Sequence, residues 1–263
     1  MRIATWNVNS LKVRLEHVIE WTRLAGIDAL VMQETKLPDD QFPERELAAA
    51  GFDCIHLGQK AYNGVALVVR RGSCSLQGEA VYNIPGYEDE QKRLVGSRIR
   101  GSGGQSFTFI GAYFPNGQSV GSDKYLYKLD WVSALTLWLK EQIAAGEEFI
   151  LAGDFNIAPR DEDVWDTHAL EGGILISGPE RAAWRSLIAA GLIDTWELGL
   201  HAPGTYSWWD YRGAGYQKNQ GLRIDHMLAT PGIARSIRDV FIDEKPRGWD
   251  KPSDHAPVVA VLG

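Results

Sequence analysis

Apolar residues along the chain fall into runs of strand length, many of them bounded by glycine, proline or asparagine. Arg2–Trp6, Asp28–Met32, Val65–Arg70, Phe107–Tyr113, Phe149–Ala152, Ile224–Ala229, Val240–Asp243 and Pro257–Leu262 all have this character. Three longer stretches repeat apolar residues at helical spacing instead. Leu11–Ala25 carries Leu11, Leu15, Val18, Ile19 and Leu24 and stops at Gly26, a suitable C-terminal cap. Tyr125–Ala145 is the longest, and Glu180–Ala190 ends at Gly191. The neighbouring runs Val65–Arg70 and Leu76–Tyr82 predict an antiparallel pair, so the chain is not a pure βαβ repeat. Gly101–Gly104 reads as a hairpin turn. No linker, charge block or tandem repeat divides the 263 residues, which predicts one domain over 1–263. The expected fold is α/β, a four-layer α/β sandwich of two packed mixed or antiparallel β-sheets flanked by helices.

Composition narrows this little. Hydrophobic residues at 44% and charged residues at 23% exclude a disordered or coiled-coil chain, and 28 glycines with 11 prolines argue against a helical bundle. Cys54 and Cys74 are too few for a disulfide framework and lack metal-ligand spacing, so they read as small packed residues in a reducing compartment. The N-terminus enters a strand pattern at once, and no apolar run nears the ~20 residues of a membrane span. A cytoplasmic protein without signal peptide or membrane contact is expected. The net charge of −7 repels polyanions on average. Asp161, Glu162, Asp163, Asp166 and Glu171 read as a solvated acidic loop.

Chemistry enters where polar residues interrupt the strands. Asn7 follows Ile3–Trp6, Glu34 ends the run Ala29–Gln33, Tyr113 ends Phe107–Ala112, and Asp154 with Asn156 follows Phe149–Gly153. Asp225 opens Ile224–Ala229, while Asp254 and His255 precede the last strand. In a mixed sheet, strand ends and the starts of antiparallel neighbours share one edge, so these groups can converge. Each alone suits a turn or cap. Together, four carboxylates, two asparagines, a tyrosine and a histidine at one rim are costly without a metal or substrate.

Thr5-Trp6-Asn7-Val8-Asn9-Ser10, Met32-Gln33-Glu34-Thr35-Lys36, Gly153-Asp154-Phe155-Asn156-Ile157-Ala158-Pro159 and Ser253-Asp254-His255-Ala256-Pro257 occur in this order. They resemble successive motifs of the exonuclease III/AP endonuclease family, within the endonuclease/exonuclease/phosphatase superfamily. The segments Tyr206–Arg212 and Gly221–Asp225 are similar to its DNA-repair branch, and the likeness runs from residue 3 to 260. The resemblance implies an Mg²⁺-dependent phosphodiesterase, with Mn²⁺ able to substitute. Its substrate would be double-stranded DNA with abasic sites or 3′ ends. It would act as an AP endonuclease, 3′→5′ exonuclease or 3′-phosphatase, and nothing in the sequence demands more than a monomer.

Phosphodiester hydrolysis needs neutralised non-bridging oxygens, an activated water and a stabilised leaving oxygen. Glu34 suits the Mg²⁺ carboxylate, and the resemblance adds Asn7 and Asp254 to the metal shell. It makes Asp154 the base or the orienter of the attacking water, with Asn156 beside it. Asp225 and His255 would pair, raising the histidine pKa so that the ring presents an N–H to the phosphate. Tyr113 would bond the scissile phosphate or assist the leaving group. With two metals, Asp154, Asn156 and His255 would hold the second.

The segment Tyr206–Ile224 interleaves five aromatic residues with Arg212, Lys218 and Arg223, a pattern suited to stacking and phosphate contact. Trp208, Leu222 and Ile224 match the family's pocket for a flipped abasic deoxyribose. Lys36, Lys60, Arg93 and Lys124 are candidate phosphate contacts. His17, His56, His201 and His226 read as packing residues, with His226 facing away from Asp225. His168 lies in a loop that borders the DNA cleft in relatives, and its bulk would favour 3′-end work over internal abasic cleavage. Same-fold hydrolysis of RNA tails or phosphoinositide or phospholipid headgroups is the alternative substrate reading. A catalytically silent binding module is the alternative of another class, against which the full polar constellation argues.

Overall fold

The computed structural model describes all residues, 1–263. Fourteen strands and five helices alternate irregularly. The strands are β1 (Arg2–Asn7), β2 (Ala29–Gln33), β3 (Phe52–Leu57), β4 (Val65–Arg70), β5 (Cys74–Tyr82), β6 (Leu94–Gly101) and β7 (Ser106–Tyr113). The second half adds β8 (Phe149–Asp154), β9 (Ile193–Asp194), β10 (Trp208–Trp209), β11 (Gly221–Leu222), β12 (Asp225–Ala229), β13 (Ile237–Ile242) and β14 (Val258–Leu262). The helices are α1 (Leu11–Leu24), α2 (Glu44–Ala49), α3 (Asp123–Ala144), α4 (Gly178–Ala189) and the short α5 (Pro231–Ala234).

Two six-stranded sheets pack face to face, ordered β13-β14-β1-β2-β4-β3 and β5-β6-β7-β8-β12-β9, with β10-β11 as a separate ribbon. Each large sheet is mixed. β1 pairs with β2 in parallel and β7 with β8 in parallel, and the remaining pairings are antiparallel. Strand alternation builds the layers. Ile3, Val31, Val65 and Leu67 meet Phe107, Phe109, Ile150 and Met227 between the sheets. The opposite faces take Leu30 and Met32 to Val18 and Trp21 of α1, and Ile110 and Leu151 to Trp131, Leu135 and Trp184 of α3 and α4. This is the expected four-layer sandwich.

Helix ends follow local chemistry. Gly26 and Gly191 adopt positive φ after α1 and α4, and Ser177 caps α4 in a capping box with Glu180. Gly101–Gly104 lies in the turn between β6 and β7, as expected.

Three expectations are corrected. β4 and β5 do not pair, because the turn at Arg71–Ser73, with Gly72 at φ 87°, carries the chain from one sheet to the other. Asp163 is not solvated; it is 3% exposed and its Oδ1 lies 2.6 Å from Nε of the buried Arg223. Arg223 correspondingly turns inward, bridging Asp163 and Asp194 over the Trp196 ring, and is no phosphate contact. Burying a guanidinium is tolerable only with such paired carboxylates.

Candidate active site

The parallel pairs set the site. β1 and β2 deliver Asn7 and then Glu34 to one rim, while β7 and β8 deliver Tyr113 and Asp154, which lie in register. β12 runs the other way, so its first residue, Asp225, sits opposite Asp154. His255 reaches the same rim just ahead of β14, bridged to Trp208. Both sheets thus contribute.

Asn7 Nδ2 donates to Glu34 Oε1 and to Asp154 Oδ2, each at 2.9 Å. The Tyr113 hydroxyl donates to Glu34 Oε1 at 3.1 Å, and Lys36 Nζ lies 2.8 Å from Glu34 Oε2. Asp154 Oδ1 accepts the backbone N–H of Asn156 at 2.9 Å. The Asn156 amide donates to Phe114 O at 3.0 Å and to Asp154 Oδ2 at 3.4 Å, so it orders the carboxylate. His255 Nδ1 donates to Asp225 Oδ2 at 2.8 Å, an oxygen that also accepts the Ser207 hydroxyl. Nε2 of the same ring lies 3.7 Å from Asp154 Oδ2. Glu34 and Asn156 hold positive φ values of 53° and 51°, strain that the surrounding bonds must sustain.

Burial drives the electrostatics. Desolvation, with the charges of Asp225 and Glu34, raises the Asp154 carboxyl to about 7, against the lowering effects of His255 and the Asn7 amide. Desolvation alone would lower His255, but Asp225, Asp154 and Asp254 outweigh it and raise the ring to about 10. His255 is therefore an imidazolium at neutral pH, with Nε2–H a donor. Burial first, then Glu34 and Asp154, holds the Tyr113 phenol well above its ordinary value, so it remains a donor.

Glu34, Asp154 and His255 offer ligand atoms within 4.8 Å of one another. Two carboxylates fit a hard divalent cation, and the raised Asp154 marks negative charge in want of one. A protonated Nε2 fits a phosphate better than a metal. Asn7 Oδ1 accepts the Asn9 N–H at 3.0 Å, so Asn7 bridges the carboxylates as a donor. Asp254 lies outside the cluster, its oxygens taking the Asn9 amide at 2.9 Å and Trp208 Nε1 at 3.0 Å.

The outer candidates divide. Trp208 is half-buried beside His255, whereas Leu222 and Ile224 are buried and packed with Ala158, Val164 and Leu175. Arg212 projects into solvent, paired with Asp210. His168 is 93% exposed in a loop beside a shallow hollow with Val120 and Arg181. Lys60 is exposed. Lys124 and Arg93 line a cavity of about 950 Å³ beside Tyr113, walled also by Glu88, Asp89 and Glu90. Arg93 is nearly buried there, over the rings of Tyr113 and Tyr127.

The packing histidines behave as expected. His56 stacks on Phe42, His201 on Trp196 and His17 against Trp249, and His226 is buried with Nε2 on Ile157 O at 2.8 Å. Burial pushes both thiols up to about 11, consistent with unreactive cysteines. Residues with positioning contacts that the motifs did not single out are Asn9, Asn116, Lys128, Glu180 and Ser207. Asn9 is visible only as the second amide of Asn7-Val8-Asn9 and Ser207 only as a member of the segment Tyr206–Arg212, while the others carry no spacing signal.

The model of the Endonuclease/Exonuclease/phosphatase family matches residues 4–255. Exodeoxyribonuclease III of Haemophilus influenzae is 33% identical over 272 residues, covering 99% of each chain. A 3′ phosphatase from Neisseria, solved with a product DNA hairpin, is 39% identical with a TM-score of 0.93, covering 100% of this chain and 99% of that one. An AP endonuclease from Archaeoglobus fulgidus is 32% identical with a TM-score of 0.91, at the same coverage.

Proposed function

The chain belongs to the endonuclease/exonuclease/phosphatase family, and from that membership we propose a metal-dependent DNA-repair hydrolase that cleaves phosphoester bonds at abasic sites and 3′ ends of duplex DNA. The observation that carries the site assignment is the Glu34–Asp154–His255 cluster, with Asp225 locked behind the histidine. Mg²⁺ is the cation this oxygen-rich, small site favours, and it would rest on Glu34 and Asp154, with water filling the remaining positions. Bound there, it would neutralise phosphate charge and polarise the reacting phosphorus.

The chain's own groups supply the rest. Asp154, held by Asn7 and Asn156, orients the attacking water and takes its proton. The imidazolium of His255 donates from Nε2 to a non-bridging oxygen, and Asp225 keeps that proton in place through Nδ1. As the P–O bond to the leaving oxygen breaks, the Tyr113 phenol is placed to stabilise the charge that develops on it. In this reading the protein works as a cytoplasmic monomer on duplex DNA without a protein partner.

Similarity to a 3′ phosphatase and the exposed ring of His168 favour 3′-end processing over incision at internal abasic sites. Three duplexes test this with and without Mg²⁺: an internal abasic analogue, a recessed 3′-hydroxyl and a 3′-phosphate. The expected result is Mg²⁺-dependent turnover fastest at 3′ ends, with His168→Gly gaining internal incision. No hydrolysis of any duplex sinks the functional reading, and no gain with His168→Gly sinks the role of the loop.

A further inference from the structure

The most completely buried ion pair in the molecule lies under the active site, outside the groups the chemistry uses. Lys128, on α3, and Glu180, in the first turn of α4, both have fully buried side chains. An ammonium carries three protons, and here each has one acceptor. Lys128 Nζ donates to Glu180 Oε1, to Asn156 O at 2.6 Å and to Asn116 O at 3.3 Å. Two of these acceptors are backbone carbonyls of the loops that follow β7 and β8. The two loops are also joined above the lysine, where Asn116 Nδ2 donates to Asn156 Oδ1 at 3.1 Å.

We propose that Lys128 is a positioning residue for the hydrolytic reaction. It ties the Asn116 and Asn156 loops to one point, so that Asn156 keeps its left-handed backbone and directs its N–H and amide to Asp154. Three features support this over a purely structural ion pair. A buried pair contributes little net stability, because desolvation cancels most of its attraction. Glu180 already has a capping role, with Oε2 accepting the Ser177 N–H at 3.1 Å and the Ser177 hydroxyl at 2.6 Å, so α4 does not need the lysine. Two of the three ammonium protons go to the active-site loops, and only one goes to Glu180.

The proposal deepens the hydrolase reading and rests on it, so the test needs a readout that is independent of substrate. Lys128→Met alone strands a buried carboxylate and endangers folding. The double variant Lys128→Met with Glu180→Gln removes both charges, keeps an oxygen for Ser177 and is expected to fold, which circular dichroism checks. In it, kcat on the 3′-phosphate duplex is expected to fall about 100-fold, the order that a misplacement near 1 Å costs, while KM stays within about threefold. In metal-free protein, the ¹⁵N-resolved side-chain amide signals of Asn116 and Asn156 should lose their distinct shifts and exchange faster with solvent. Unchanged amide signals in the folded double variant would overturn the proposal whether or not any DNA is cleaved. So would wild-type kcat. Turnover absent already in the wild type refutes the functional reading, and the amide signals still decide the role of Lys128.

Discussion

Asp225 and His255 share a 2.8 Å hydrogen bond that leaves the far nitrogen of the ring 3.7 Å from Asp154. The buried carboxylate fixes both the tilt and the charge of the imidazole, and Ser207 in turn fixes the carboxylate. Asp225→Asn keeps the shape and removes the charge. Turnover on the 3′-phosphate duplex should fall about 10⁴-fold, as when an orienting aspartate is neutralised elsewhere. NMR titration of the ring should show His255 losing its proton at much lower pH. A fall of less than tenfold would remove Asp225 from the machinery.

Asp154 has opposite effects on chemistry and on stability. Its carboxyl is held above the ordinary range by burial and by neighbouring negative charge, so the ionised form burdens the metal-free fold. Asp154→Asn should abolish hydrolysis, yet raise the metal-free Tm at pH 8 by about 2–4 °C, the shift expected for roughly 1 kcal/mol in a chain of this size. Glu34→Ala should abolish hydrolysis with the fold retained. Turnover like the wild type in either variant would refute the site.

The same raised carboxyl sets a pH dependence for metal binding. Below about 7 Asp154 is protonated in the metal-free fold, and a cation must displace that proton. His255 keeps its own proton throughout this range, since its value lies near 10. Mg²⁺ affinity should therefore be level above pH 7 and fall by up to about tenfold per unit below it, with proton release measurable by calorimetry. Affinity that is flat from pH 5.5 to 8 would contradict this.

A net charge of −7 and an acidic wall of Glu88, Asp89 and Glu90 facing Lys124 and Arg93 imply weak hold on undamaged duplex. With about four cations near phosphates, affinity should drop about 100-fold between 50 and 200 mM salt. Fluorescence anisotropy with an intact duplex checks this. Tight, salt-insensitive binding would be incompatible with it.

Much of this site was legible in the sequence because strand ends are where polar residues break apolar runs. Asn7, Glu34, Tyr113, Asp154, Asp225 and His255 each announced a rim position before any pairing was known. Partners were less legible than elements. Val65–Arg70 and Leu76–Tyr82 looked like a hairpin since periodicity reports which face is apolar, without saying which sheet receives it. Leu94–Gly101 carries no clear strand pattern, because its alternation includes Arg98, Arg100 and two glycines. Asp163 passed for solvated acid because its countercharge, Arg223, lies 60 residues away. Lys128 offered no signal at all, since a helical lysine ordinarily faces water and only tertiary packing buries it.

Asn7 and Glu34 stand on one sheet, and Tyr113, Asp154 and Asp225 on the other. Between the sheets, Gly111 of β7 faces Val31 of β2 so closely that an added Cβ would come within 2.7 Å of the valine Cβ. The candidate groups are therefore mounted on two jaws whose gap is set by hydrocarbon contact a few residues below them. Chemistry in such a molecule acts as a caliper of its core. A methyl group added at that depth is expected to shift the jaws apart and separate Glu34 from Asp154, so that turnover falls while the circular dichroism of the fold is kept.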